Sequence, residues 1–167
     1  MAASIKIQAT RGRNGADLLL AVKQTRKCLD LDPNYPLCLW IQGLAYEQQG
    51  HFEDAIGAET KALKIDPDWT FALACLARAY ALSGRRADAQ QILNDMLDPS
   101  KHSHVSKYML ATVHAALGDK SHALAELEQA YAERSFFLGF LKSDPEVDPL
   151  RSEPRFQAIL RSMNFPQ

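Results

Sequence analysis

Five histidines are the residues best able to do chemistry in this chain, as ligands for a zinc-class metal or as acid–base groups near neutral pH. His102 and His104 stand in the loop-like run DPSKHSHVSK, whereas His114 and His122 fall on two successive helical patterns. A zinc site needs three or four converging ligands. No cysteine or carboxylate is spaced along the chain to complete one, so neither a metal nor another cofactor is expected. His114 is read instead as a partly buried packing residue, because it takes the place that Tyr46 and Tyr80 hold in earlier copies of its pattern. Glu126 and Glu128 are two apart, which splays them around a helix and leaves them solvated. No phosphate-binding glycine loop, GxGxxG, HExxH or GxSxG occurs, and GDK at 118–120 reads as a turn between helices. Catalysis is therefore not expected.

Cys28, Cys38 and Cys75 are an odd number, form no CxxC pair and sit beside apolar neighbours, so buried free thiols and a reducing compartment are expected. The chain has 167 residues, 47% of them hydrophobic and 23% charged, with a formal net charge of −1. That balance is ordinary for a soluble globular protein and gives no electrostatic footprint for nucleic acid or an anionic membrane. Arg11-Gly-Arg13 reads as a solvated lead-in. The amino end lacks a signal-peptide core and no stretch is apolar enough to span a bilayer, which leads to a cytoplasmic expectation.

The elements that would position any site follow from a repeat. In WIQGLAYEQQG, residues 40–50, Gly43 lies four residues after Leu39 and three before Tyr46, so the three share a helix face on which glycine admits a close neighbour. Gly50, Gly84 and Gly118 recur every 34 residues, each between two helical patterns. Helices are predicted from about Asn14 to Leu31, over 36–49, from Phe52 to before Asp66-Pro67, and over 70–83, 86–97, 104–117 and 120–133. Glycine ends the first helix of each pair, and Pro33 and the Asp-Pro steps stop the second. A second stripe runs along the first helices: Leu37, Trp40 and Leu44 become Phe71, Ala74 and Arg78 one step on, then Val105, Tyr108 and Thr112. Stacked hairpins would align these residues as three columns.

The spacing of Leu39, Gly43, Tyr46, Gly50, Phe52, Ala55, Ala62 and Pro67 resembles the tetratricopeptide repeat. The resemblance implies an all-α, right-handed superhelical solenoid of helical hairpins. It divides the chain into an array over 1–135, with a partial first repeat at about 14–35 and repeats at about 36–69, 70–103 and 104–135, followed by a cap over 136–167. The tail is similar to the carboxyl-terminal end of tetratricopeptide regions in bacterial multidomain regulators. The likeness rests on the aromatic stretch Phe136 to Leu141, the turns Asp144-Pro145 and Asp148-Pro149, and a short helix from Pro154 to Arg161. Phe136, Phe137, Phe140, Leu150, Phe156 and Ile159 are expected to cover the last repeat.

In such arrays the first helices line the concave face, so the resemblance implies that the three columns form a groove floor. Two readings of them stay open. They are packing residues covered by the chain's own ends, or Trp40, Phe71 and Tyr108 anchor a peptide or helix while Arg78 takes a carboxylate or carbonyl. Relatives that grip chaperone carboxyl-termini use lysines and asparagines lining this face, which the columns lack, so that ligand class is not expected. A protein–protein interaction module is the leading expectation. Homodimerisation through the apolar face or the amino-terminal helix is the alternative, and small-molecule sensing around Arg78, Tyr108 and Thr112 comes third.

Overall fold

The computed structural model describes residues 15–102 and 104–163. Helix α1 spans Gly15–Leu31, α2 Pro36–Gln48, α3 Phe52–Ile65, α4 Thr70–Leu82, α5 Arg86–Leu97, α6 Lys107–Ala116 and α7 Lys120–Ala132. Two 3₁₀ turns, Phe136–Phe140 and Pro145–Leu150, then lead to α8, Pro154–Ser162. No strand occurs among the described residues. None of their helices is long and apolar enough to cross a membrane. Residues 1–14 of the expected array, and 164–167 of the expected cap, lie outside the described residues.

Each hairpin closes as its sequence dictates. Gly50, Gly84 and Gly118 have φ of +77°, +88° and +77°, the left-handed conformation that side chains disfavour. The residue after each glycine donates its N–H back to the carbonyl five positions earlier, His51 to Tyr46, Arg85 to Tyr80 and Asp119 to His114, at 2.8–2.9 Å. These are the closing bonds of a Schellman turn. The second helices α3 and α5 end instead on extended residues, Asp66 and Asp98, just before proline.

Neighbouring helices pack in order, and α4 also touches both α2 and α6, so these three form the inner layer of the stack. Helix α4 shows why: with Ala72, Ala74 to Ala79 and Ala81 all buried, it needs neighbours on every side. One departure concerns the cysteines. Cys28 near the end of α1 and Cys38 near the start of α2 are joined by a disulfide across the Asp32-Pro33 turn, so the expectation of free thiols holds only for buried Cys75. The hairpin brings residues ten apart in sequence to a Cα–Cα distance of 6.5 Å, within bonding reach.

The tail packs against the last helices, though not through every residue expected to cover the last repeat. Leu150, Phe156 and Ile159 are buried, and so are Leu138, Leu141 and Val147, which the sequence pattern did not single out. Phe136, by contrast, is 79% exposed and covers little. Helix α8 is tied to α7 by Arg155, which grips Glu128 with two 2.8 Å bonds, and by Lys120 to Glu153 at 2.7 Å.

Candidate functional site

The three columns come together on the inner layer, and their exposure is graded. Leu37, Phe71 and Val105 are half-buried, whereas Trp40, Ala74 and Tyr108, and Leu44, Arg78 and Thr112, are buried. Residues 136–150 meet three of them, Phe71, Tyr108 and Arg78, and the turn Pro145–Leu150 lies on α6.

The contacts are aromatic on one side and ionic on the other. Phe137 packs between Phe71, at 5.2 Å between ring centres, and Tyr108, which it stacks on at 5.9 Å. Phe71 continues to Trp40 at 6.1 Å, and Trp40 to Trp69 at 5.7 Å, so a run of aromatic rings crosses the inner face. Such offset and edge contacts are the favourable ring geometries. The Trp40 indole N–H donates to Cys75 Sγ at 3.0 Å.

Arg78 is the polar hub. Its Nε and Nη2 donate to the two oxygens of Glu47 on α2 at 3.1 and 3.0 Å, a bidentate pair, and Nη2 also meets Glu146 Oε1 at 3.0 Å. Its Nη1 reaches Thr112 Oγ1 on α6 at 3.4 Å. One side chain on α4 thus links α2, α6 and the tail. Burial works against the Arg78 charge, but Glu146 and Glu47 outweigh it and hold the guanidinium well above its ordinary pKa. Next to it Tyr108 donates its hydroxyl to Asp144 Oδ2 at 2.8 Å, while Asp144 Oδ1 accepts the Glu146 N–H at 2.9 Å and so starts the second 3₁₀ turn. Burial, reinforced by the charge of Glu146, raises the Asp144 pKa to about 7. A cavity of about 180 Å³ opens beside this cluster, between Glu47, Gln48, Arg78, Pro145 and Glu146.

Two features escaped sequence reasoning although a signal existed. Glu59 on α3 is completely buried, neither carboxylate oxygen has a hydrogen-bond partner, and the 34-residue step places it where the later repeats have buried Leu93 and Leu127. It explains Gly43: a Cβ there would lie 2.1 Å from Glu59 Oε1, so glycine makes room for a side chain of α3 rather than for the α3 backbone. The second feature adds neighbours to one of the histidines. His114 is buried as expected, but Asp119 and His122 join it, and one ligand atom from each lies within 4.8 Å of the others. The carboxylate missing from the linear reading is supplied by the turn that follows Gly118.

Comparison with known proteins agrees with the helical register. Models of the tetratricopeptide repeat match residues 38–68, 70–95 and 104–129. A curated relative, Small glutamine-rich tetratricopeptide repeat-containing protein 2 of Mycosarcoma maydis, is 27% identical over 120 residues, which is 72% of this chain and 34% of that protein. The chain therefore spans about a third of the length of this relative. With three matched stretches, paired helices and left-handed glycines every 34 residues, the molecule is an all-α solenoid that carries tetratricopeptide repeats.

Proposed function

We propose that this chain is a protein–protein interaction scaffold whose inner face takes a peptide or helix, in competition with its own residues 136–150. The array to residue 135 provides the groove in this reading, and the segment from 136 is both cap and internal occupant. One observation carries it: Phe137 seated between Phe71 and Tyr108, with Glu146 on Arg78, is the aromatic-plus-carboxylate pairing that the column residues are suited to hold. A partner would offer an aromatic side chain and a carboxylate at similar separation, entering over half-buried Leu37, Phe71 and Val105. The pre-shaped floor keeps the ordering cost low on the protein's side.

The test uses a labelled peptide copying residues 135–148 as a probe. Offered to the full chain carrying Phe137→Ala and Glu146→Gln, it should bind at least about tenfold more tightly than to the unaltered chain, because an occupied groove lowers apparent affinity by its open fraction. Equal binding to both chains, or to neither, sinks the reading.

Self-association is the second reading, favoured by Leu19 and Leu31 of α1, which are 66% and 89% exposed. Light scattering across a concentration series, with Leu31→Glu beside the unaltered chain, decides it: a dimer lost in the variant supports it and a monomer in both removes it. A place in a bacterial regulatory protein rests on the aromatic stretch, Asp-Pro turns and closing helix of the tail. Cytoplasmic location belongs to the same proposal, and it requires Cys28 and Cys38 to be thiols in the cell, which alkylation after acid quenching would reveal.

A further inference from the structure

Equivalent turns in the three repeats carry matching trios of residues: Tyr46, His51 and Asp54; Tyr80, Arg85 and Asp88; His114, Asp119 and His122. In the first two, a ring near the end of the inner helix is covered by the residue five positions on. His51 lies 6.3 Å from the Tyr46 ring centre, and the Arg85 guanidinium carbon lies 4.3 Å over Tyr80. Arg85 then pairs with Asp88 at 2.8 Å. The third repeat changes all three positions together. The phenol ring becomes an imidazole, the position held by His51 and Arg85 becomes an acid, and the acid becomes a second imidazole. Each residue of the third trio is a metal-ligand type, and Asp119 also caps α7.

We propose that His114, Asp119 and His122 form a binding site for one zinc-class divalent cation at the α6–α7 turn. Asp119 Oδ2 lies 2.7 Å from His122 Nδ1 and 3.9 Å from His114 Nδ1. Tetrahedral zinc, with bonds of roughly 2.0–2.1 Å, sets its ligand atoms about 3.3 Å apart, so adjustments on the order of an ångström suffice. Asp119 Oδ1 is engaged as the cap of α7, accepting the His122 N–H at 3.1 Å, whereas Oδ2 is hydrogen-bonded to His122 Nδ1 at 2.7 Å, a contact that a bound cation would replace. The Asp119 N–H is bonded to the His114 carbonyl at 2.9 Å, which fixes these two ligands relative to each other. His122 has an exposed side chain, so its ring, now stacked 5.2 Å from that of His114, can turn to converge. The two imidazoles favour zinc, cobalt or nickel over magnesium or calcium, and the solvent side of the turn leaves a fourth position for water.

The full chain, stripped with chelator, is titrated with Zn²⁺ against a chromophoric chelator and with Co²⁺ by its visible absorption. One saturable site is expected. His122→Ala, at an exposed position that leaves the fold intact by circular dichroism, should weaken it by more than about 100-fold, beyond the loss from an outer partner. His114→Tyr, which restores the residue type of the other repeats, should do the same, and His102→Ala with His104→Ala should leave it unchanged. Absence of saturable binding, or binding that survives His122→Ala, overturns the proposal.

Discussion

The two ends of the solenoid hold together differently. From α4 to α8 one continuous apolar cluster runs from Ala74 through Leu93, Tyr108 and Leu127 to Phe156 and Ile159, with the tail's Leu141, Val147 and Leu150 inside it. Toward the amino end the buried residues of α1 to α3 fall into smaller groups: Ala21 and Val22 with Ala45; Leu39, Trp40, Ile41 and Leu44 with Ala62; and Ala55 and Ile56 with Leu76. A disulfide staples that end, and an unpaired carboxyl, Glu59, stands where the later repeats place leucine. In a stack whose units touch only their neighbours, such local differences become differences in local stability. The carboxyl-terminal half gains continuity from the tail that lies on it, and Arg78 is where the two halves meet.

Removing Arg78 should break the comparison most severely. Arg78→Met keeps much of the side-chain volume but leaves Glu47 and Glu146 buried without their cation, an arrangement that costs about 3–5 kcal/mol. Urea unfolding should show that loss, and hydrogen exchange should rise first in residues 136–150. A loss under about 1 kcal/mol, the range of an exposed ion pair, would mean that the hub is not closed to water.

Reduction of Cys28–Cys38 should act on the opposite end. The bond closes a loop of ten residues, for which chain entropy gives a stabilisation of roughly 2–3 kcal/mol. Exchange protection in α1 should fall by a corresponding factor while α6 and α7 are unchanged. Equal loosening at both ends would show that the stack unfolds as one unit and that its two ends are not energetically separate.

The pair Gly43 and Glu59 sharpens the contrast, because the 34-residue step gives Ala77 with Leu93 and Ala111 with Leu127 in the other repeats. Glu59→Leu should stabilise by about 1–3 kcal/mol, the range for removing an unsatisfied buried polar group. Gly43→Ala alone should destabilise, since its Cβ meets Glu59 Oε1. Together the two changes should exceed Glu59→Leu alone by about 1 kcal/mol, the helix preference for alanine, so the cycle is non-additive. The pH dependence has a definite sign. Burial, with the charges of Glu47 and Glu146 reinforcing it and Arg78 opposing it, raises the Glu59 pKa well above the ordinary 4.5. The folded state therefore holds this proton more tightly, so its contribution is fully present below about pH 4.5 and is lost as pH rises through the folded value. Glu59→Leu should flatten that decline, and an unchanged pH profile would assign the slope to other groups.

What the sequence made legible was local or periodic. Helix ends could be read because Gly50, Gly84 and Gly118 and the Asp-Pro steps act on their own backbone. The columns could be read because one step of 34 carries Trp40 to Ala74 and Tyr108. Glu59 and the His114–Asp119–His122 trio were equally available to that step but appear only when equivalent positions are compared for their departures. The disulfide needed the hairpin to be folded in three dimensions before Cys28 and Cys38 became neighbours. Residues 136–150 were the least legible part: their 3₁₀ turns follow no helical period, and the contacts of Phe137 and Glu146 with α4 join distant parts of the chain.

The smallest effect lies at the junction where the repeats give way to the tail. Helix α7 ends not on an Asp-Pro stop but on Arg134, whose φ of 53° makes it the one non-glycine residue with positive φ among those described. The Ser135 N–H returns to the Ala130 carbonyl at 2.9 Å, the same closing bond that the three glycine turns make. This turn therefore has the glycine geometry without glycine. The left-handed conformation costs an L-residue about 1–2 kcal/mol, and glycine's greater freedom in the unfolded chain takes back roughly 0.5–1. Arg134→Gly should stabilise the chain by up to about 1 kcal/mol, seen as slower exchange at the end of α7 and in residues 136–140. The same substitution at a residue with ordinary helical φ destabilises, so a loss of stability here would mean that Arg134 holds the tail through its side chain and not through its backbone.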